Sequence, residues 1–360
     1  MDRRTPANSN PRIGVFGATG LVGRELLSIL IERSVEADTI RAFASERSAG
    51  TSVAAGGAHW PVERFVASEA DSIDLAFLAT GSELSLELAP CLLAAGATVI
   101  DCSSAFRGDP EVPLVIPEIN GHLLASDPAP RIVASPNCST TIALMAVEPI
   151  RRAAGIRRMT VCTYQAVSGA GAAALEGLDR ELRDHADGEL PKPAHFSSPC
   201  LFNVFSHESA VDERGENQEE LKIRAESRRI WNDADIAIAA TCVRVPTRRA
   251  HAEAINLTLE RPLSAAEARE ILASVDGLVL FDREPGTRAP EPRDAEGRDE
   301  VLVGRVRADH SQPEGLGLWL FAVGDQLRKG AALNAIQIAE RCLESIPLLS
   351  VESARDRVHR

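Results

Sequence analysis

The chain has 360 residues, 44% of them hydrophobic and 25% charged. That is apolar material for a large buried core and more chain than one core commonly organises, so two domains are expected. Its 39 Lys and Arg against 52 Asp and Glu leave a net charge of -13 with no dense basic stripe, which speaks against a nucleic-acid or anionic-membrane surface. No apolar run nears the roughly 20 residues of a bilayer span, and the start, Met1-Asp2-Arg3-Arg4, lacks the apolar core of a signal peptide. Seven cysteines without a Cys-x-x-Cys pair argue against both a disulfide framework and a zinc site. A cytoplasmic protein without a metal is expected.

In chain order, an apolar strand at Arg12 to Phe16 runs into a glycine turn and an amphipathic helix ending near Glu32. Strands follow at Thr39 to Ala44, Ile73 to Ala79 and Thr98 to Asp101, with a helix from Ser82 to Ala95 between the last two. This alternation predicts a parallel, doubly wound sheet, a Rossmann-like N-terminal domain. After Pro136 longer strands dominate, at Met159 to Val167, Ile236 to Val245, Ala252 to Leu259, Val301 to Ala308 and Leu316 to Val323. They predict an α+β second domain with a mixed sheet. The stretch from Asp282 to Asp299, rich in Pro, Gly and charge, reads as a mobile loop, and a last helix is expected over Gly330 to Ser345. The expected boundaries are 1–137 for the first domain, completed by the C-terminal helix in 330–360, and 138–329 for the second.

Gly17-Ala18-Thr19-Gly20-Leu21-Val22-Gly23 follows a strand and opens a helix, where backbone amides can approach a pyrophosphate and the helix N-terminus offsets its charge. The spacing is G-x-x-G-x-x-G, not the usual G-x-G-x-x-G. At the end of the second strand stands Ser45-Glu46-Arg47-Ser48. Ser45, Arg47 and Ser48 suit the 2'-phosphate of NADP, while Glu46 could instead take the ribose hydroxyl of NAD; NADP is the expected cofactor. Farther on, Ser135-Pro136-Asn137-Cys138-Ser139-Thr140 ends a strand and begins a helix. A helix N-terminus favours a thiolate, and free amides there can stabilise an oxyanion, so Cys138 is the candidate nucleophile.

The segment around Cys138 resembles the active-site motif of bacterial aspartate-semialdehyde dehydrogenases. Thr163-Tyr164-Gln165-Ala166-Val167-Ser168-Gly169-Ala170-Gly171, Glu219-Glu220-Leu221-Lys222, Thr241-Cys242-Val243-Arg244-Val245-Pro246 with His251, and Lys329-Gly330-Ala331-Ala332-Leu333-Asn334 match in the same order. The resemblance implies Cys138 as nucleophile, His251 as general acid/base, and Gln165 orienting the reacting groups beside Asn137. It implies Arg107 and Lys222 for phosphate, Arg244 for an α-carboxylate, Glu219 for an ammonium, and Ser168, Gly169 and Asn334 at the cofactor. The implied substrates are aspartate semialdehyde, aspartyl phosphate and phosphate, on the route to lysine, methionine, threonine and diaminopimelate. The implied assembly is a homodimer or dimer of dimers. The match thins between His185 and Asp212, a segment expected at the subunit interface.

Two other readings stand beside this one. An N-acetyl-γ-glutamyl-phosphate reductase shares the architecture and cysteine chemistry, but Asn137 before the cysteine and Ser139-Thr140 after it favour the aspartyl motif. A noncatalytic paralogue would keep the fold, yet Cys138, Gln165 and His251 are all present.

Overall fold

The computed structural model describes residues 11–126, 128–282, 287–313 and 315–342. The chain divides into two compact units, Met1–Pro117 with Gly121–Ser135 and Ala335–Arg360, and Glu118–Asn120 with Pro136–Asn334.

In the first unit β1 (Ile13–Phe16), buried at all four positions, leads through the glycine turn into α1 (Leu21–Glu32), which buries Leu26, Leu27, Ile29 and Leu30. There follow β2 (Ile40–Phe43), the hairpin β3 (Ser52–Ala55) and β4 (Ala58–Glu63), β5 (Leu75–Leu78), α2 (Ser82–Ala94), β6 (Thr98–Asp101), the single turn α3 (Pro117–Asn120) and β7 (Ile132–Ala134). The sheet order is β3-β4-β2-β1-β5-β6-β7, with every neighbour parallel except β3 and β4. The sequence reading places no strand at β3 or β4, because the pair buries only Val53, Trp60 and Val62 and shows no apolar run. Its turn residues, Gly56 and Gly57, have φ of +58° and +79°, the left-handed pair that a two-residue hairpin requires.

The glycines of the first turn are there for close approach. Gly17 has φ +80°, and a Cβ on it would run into the carbonyl oxygen of Ala79. A Cβ on Gly23 would strike the Gly17 carbonyl, so only a bare backbone lets α1 start this close to the end of β1.

The second unit contains α4 (Cys138–Ala154), β8 (Ile156–Gln165), α5 (Ala172–Ala186), β9 (Phe205–Ser206), α6 (Gln218–Trp231), β10 (Ala237–Arg244), β11 (His251–Leu259), α7 (Ala265–Ala273), β12 (Leu278–Leu280), α8 (Pro292–Ala295), β13 (Val301–Ala308) and β14 (Gly317–Gly324). A π turn at Arg328–Ala332 leads into α9 (Leu333–Cys342). The sheet is mixed, in the order β12-β13-β14-β11-β8-β10-β9. Helix α4 is buried continuously from Ser139 to Ile150 and packs on this sheet and on α6 and α7.

Three sequence expectations are corrected here. Strand β8 ends at Gln165 and not at Val167, because the Ala166 amide turns away to the His251 ring and Val167 to the Thr247 carbonyl. The stretch from Asp282 to Asp299 holds α8, whose start is closed by Glu291 and Asp294, and Arg288 pairs with Asp294 at 2.7 Å; residues 283–286 lie outside the described ones. The last helix begins as a π turn two residues before Gly330, and its expected end past Cys342 also lies outside. Among the described residues no helix is long and apolar enough to cross a membrane.

Replacing Gly17 by Ala adds left-handed strain to the collision with Ala79, and should cost about 1–3 kcal/mol or more of stability. A thermal or urea melt of Gly17→Ala that matches wild type would show that the turn tolerates a side chain.

Candidate active site

The start of α4 sets the geometry. Asn137 is its N-cap, and its side-chain oxygen accepts from the amides of Ser139 (2.9 Å) and Thr140 (3.2 Å), placing Cys138 at the first helical position. The cap is itself anchored. Asn137 Nδ2 donates to Glu219 Oε1 at 2.8 Å and its backbone N–H to Glu226 Oε2 at 2.6 Å. The amides of Ser139 and Thr140 are therefore taken by Asn137 and are not free to meet an oxyanion.

Gln165, the last residue of β8, turns inward and donates through Nε2 to Ser139 Oγ at 3.0 Å and to Glu219 Oε1 at 3.2 Å. Glu219 sits in the first turn of α6, whose capping box of Asn217 and Glu220 fixes the start of the helix. Lys222, three residues on, reaches Glu219 Oε2 at 3.3 Å, so the pair that spacing alone would leave on the surface is half buried around a carboxylate that is 6% exposed. Burial acts to raise the Glu219 carboxyl, but Lys222 and then His207, with the Asn137 and Gln165 hydrogen bonds, bring it down to about 2.

His251 begins β11 and is fully buried. The Ala166 N–H donates to its Nδ1 at 3.0 Å, so the neutral ring carries its proton on Nε2. Among the described residues that Nε2 has no hydrogen-bond partner, and it faces Gly169, where a Cβ would stand 3.2 Å away. Burial, then the positive Arg244, pushes the imidazole down to about 3.

Arg244 ends β10, 1% exposed. Nη1 donates to the Ala166 carbonyl at 2.9 Å, and Nη2 meets Glu208 Oε1 at 2.6 Å and His207 Nε2 at 3.0 Å; Nε reaches Glu208 Oε2 at 3.3 Å. The fork edge that a bidentate carboxylate would use is thus held by Glu208. The structure brings Cys138, Asn137, Gln165, Glu219, Lys222, Arg244 and His251 into one connected cluster in the second unit. Ser168 and Asn334, in the same unit, are turned inward, Ser168 accepting from Gln326 and Asn334 from Lys329 at 3.2 Å. Burial pushes the thiols of Cys102 up to about 12 and of Cys200 and Cys342 to about 11, and raises Cys242 too, which leaves them poor nucleophiles.

Sequence reasoning misses Glu226, Glu208, His207 and the part played by Ser139. Glu226 was findable, since it lies two helical turns after Glu219 and so on the same face. Glu208 was not, because it belongs to the segment where the motif match thins. That segment packs at least partly on its own unit: Phe196, Cys200 and Leu201 cluster with Val167, Ala174 and Leu178, and Glu181 accepts from the Cys200 and Leu201 amides.

In the first unit Arg107 spends Nε on the Ser135 carbonyl and Nη2 on that of Cys102, both at 2.9 Å. Among the described residues no side chain caps the start of α1 at Gly20, so its first amides, with Gly17 and Gly23 bare beside them, form a cradle suited to a pyrophosphate. A cavity of about 430 Å³ adjoins it, lined by Gly17, Phe43, Ser45, Glu46, Phe65 and Leu88 among others. Ser45, Glu46 and Arg47 are exposed at the end of β2, and Glu46 pairs with Arg64 at 3.1 Å.

A glycine cradle in one unit and a capped cysteine beside buried acid, amide and imidazole in the other fit a nucleotide-dependent dehydrogenase. Residues 12–126 match the NAD-binding domain of semialdehyde dehydrogenases and residues 147–329 their dimerisation domain. An aspartate-semialdehyde dehydrogenase of Synechocystis sp. is 42% identical over 92% of this chain and 97% of its own. One from Aquifex aeolicus is 42% identical over 91% and 97%. The crystal structure of aspartate semialdehyde dehydrogenase II from Vibrio cholerae matches with a TM-score of 0.88 at 38% identity, over 94% of this chain and all of that one. The chain belongs to the aspartate-semialdehyde dehydrogenase family.

His251 links the site to stability. An unfolded histidine binds its proton below pH 6.5, whereas the folded one does so only near 3. The unfolded chain therefore holds more protons in between, and stability falls as pH drops through that window, by on the order of 3–5 kcal/mol from this group. Urea midpoints from pH 7 to 4 should show a shallower fall in His251→Gln; equal slopes would mean that the ring is charged when folded.

Proposed function

We propose that the chain catalyses the reversible, NADP-dependent interconversion of L-aspartyl 4-phosphate and L-aspartate 4-semialdehyde through a thioester on Cys138. The observation that carries this is Cys138 at the first position of a helix whose cap, Asn137, is tied through Glu219 to Gln165 and Lys222. A relative with 38% identity is known in complex with ASA, and that substrate suits a site with a guanidinium, an ammonium and a carboxylate in one cluster.

In the biosynthetic direction the Cys138 thiolate attacks the acyl phosphate, the S–C bond forms as the C–O bond to phosphate breaks, and phosphate leaves toward Lys222. The nicotinamide cofactor supplies the hydride that reduces the thioester. His251 donates a hydrogen bond from Nε2–H to the alkoxide oxygen of the resulting thiohemiacetal, which collapses to the aldehyde as the S–C bond breaks and the Cys138 thiolate is restored. The donor role follows from the Ala166 amide on Nδ1, which leaves Nε2–H as the working atom. With the Ser139 and Thr140 amides engaged by Asn137, the Nε2–H of His251 is a donor suited to the oxyanion. Glu219 receives the substrate ammonium and Arg244 its α-carboxylate.

The residues at the nucleotide end fit NADP. Glu46, the residue that could have held an NAD ribose, is turned to Arg64, leaving Arg47 with Ser45 and Ser48 for a 2'-phosphate. Ser168, Gly169 and Asn334 are assigned to the nicotinamide side. The dimerisation-domain match supports a homodimer, and a biosynthetic enzyme of this kind belongs in the cytoplasm.

Purified protein given aspartate semialdehyde, phosphate and NADP should form NADPH in a phosphate-dependent way, and Cys138→Ala should abolish this. N-acetylglutamate semialdehyde should not serve; turnover with it alone would assign the sister reductase. Arg47→Ala should raise KM for NADP about tenfold or more and leave that for NAD unchanged.

Substrate recognition makes a separate prediction. Glu208 already occupies the Arg244 fork, so an incoming carboxylate competes with it. Glu208→Gln should lower KM for the semialdehyde a few-fold, while Arg244→Lys raises it about tenfold or more. A rise in both would make Glu208 an anchor for Arg244 instead.

A further inference from the structure

Glu253 is buried beside this cluster, and the reaction as written does not use it. It lies on β11 two residues after His251, so both side chains point to the same, inward face of the sheet. Across the ladder it pairs with Thr163, itself two residues before Gln165. Glu253 is fully buried, and neither carboxyl oxygen has a hydrogen-bond partner among the described residues. The Ser139 hydroxyl is near enough to act on it, without hydrogen-bond geometry.

A carboxylate left so would cost several kcal/mol, far more than a packed methionine or leucine. The group is therefore an uncharged acid, and burial followed by the nearby negative Glu219 raises it well above the ordinary carboxyl range. Its place indicates what an uncharged acid does there. Ser139 Oγ already accepts from Gln165 Nε2 at 3.0 Å, so its own proton needs an acceptor, and the nearby Glu253 carboxyl can offer one. The same Gln165 nitrogen meets Glu219, which holds the cap of the Cys138 helix.

We propose that Glu253 is a positioning residue that fixes the Ser139 hydroxyl and, through it, the Gln165 amide beside Cys138. It touches no substrate. Removing it lets the Ser139 hydroxyl and the Gln165 amide rotate, so the loss falls on kcat and not on KM. The proposal rests on the roles given above to Cys138 and Gln165.

Two variants and one spectrum test it. The infrared difference between the wild-type protein and Glu253→Gln, without substrate, should contain a protonated-carboxyl C=O band that moves to lower frequency in D2O and shifts when Cys138 is alkylated. Glu253→Gln, uncharged and able to accept from Ser139, should keep kcat within about twofold. Glu253→Met, of similar volume but without an acceptor, should keep KM and lose kcat about tenfold or more, as small misplacements of reacting groups do. A missing band, or a folded Glu253→Met with wild-type kcat, overturns the proposal. If the Met variant does not fold, the band and its response to alkylation decide. Wild-type protein that shows the band yet has no activity on aspartate semialdehyde would instead sink the functional reading.

Discussion

The hydrogen bonds of Asn137 are the constraint on which the site depends. A helix start buried in protein leaves several amides without intrahelical acceptors, and each unsatisfied one costs free energy. Here Asn137 satisfies two of them and makes Cys138 the first helical residue. The cap is then tied on its far side to Glu219 and Glu226 of α6, so the position of the nucleophile is fixed by two helices and not by its own turn alone. The cost is that those amides are no longer available to a developing oxyanion.

That cost explains the state of His251. A buried imidazole next to Arg244 stays neutral through the physiological range, and the Ala166 amide selects the tautomer that presents Nε2–H. The ring is thus a donor at rest, which suits an alkoxide that forms and collapses within one catalytic cycle. Glu219 balances the same region. It is the buried charge that Lys222, Asn137 and Gln165 all meet, and without those partners a carboxylate at that depth would not stay ionised.

Legibility followed local physics. The strand, glycine turn and helix at the start were readable because burial on all four positions of β1 gives an apolar run and because Gly17 and Gly23 have no substitute. The hairpin of β3 and β4 was not, although Gly56-Gly57 marked it, because two edge strands with three buried side chains carry no strong period. At the site, the order of motifs pointed to Cys138, Gln165, Glu219, Lys222, Arg244 and His251, and the structure places these together. What the sequence withheld was who holds whom. That Asn137 closes the amides, that Glu208 lies on Arg244, and that the His251 proton sits on Nε2 are all consequences of chain segments that meet only on folding. Glu253 falls between the two cases, since its two-residue spacing from His251 puts it on the same face, but nothing local says that its carboxyl lacks a partner.

The segment Lys329-Gly330-Ala331-Ala332 shows why small residues recur near the thiol. A Cβ on Gly330 would stand 2.9 Å from that of Cys138 and 3.3 Å from its Cα, so this backbone forms one wall of the nucleophile's surroundings and any side chain would push the thiol aside. The π turn that carries it is held from the neighbouring position, where Lys329, buried and lowered in pKa by that burial, is clamped by both oxygens of Glu118 at 2.7 and 2.8 Å. An ion pair this deep gains little stability over apolar packing. Its effect is geometric, because separating the pair would leave Lys329 a lone buried charge, and the turn can then leave Cys138 only at that expense. The thiol is in this way confined from two directions, by the cap that starts its helix and by a glycine backbone that an internal ion pair keeps against it.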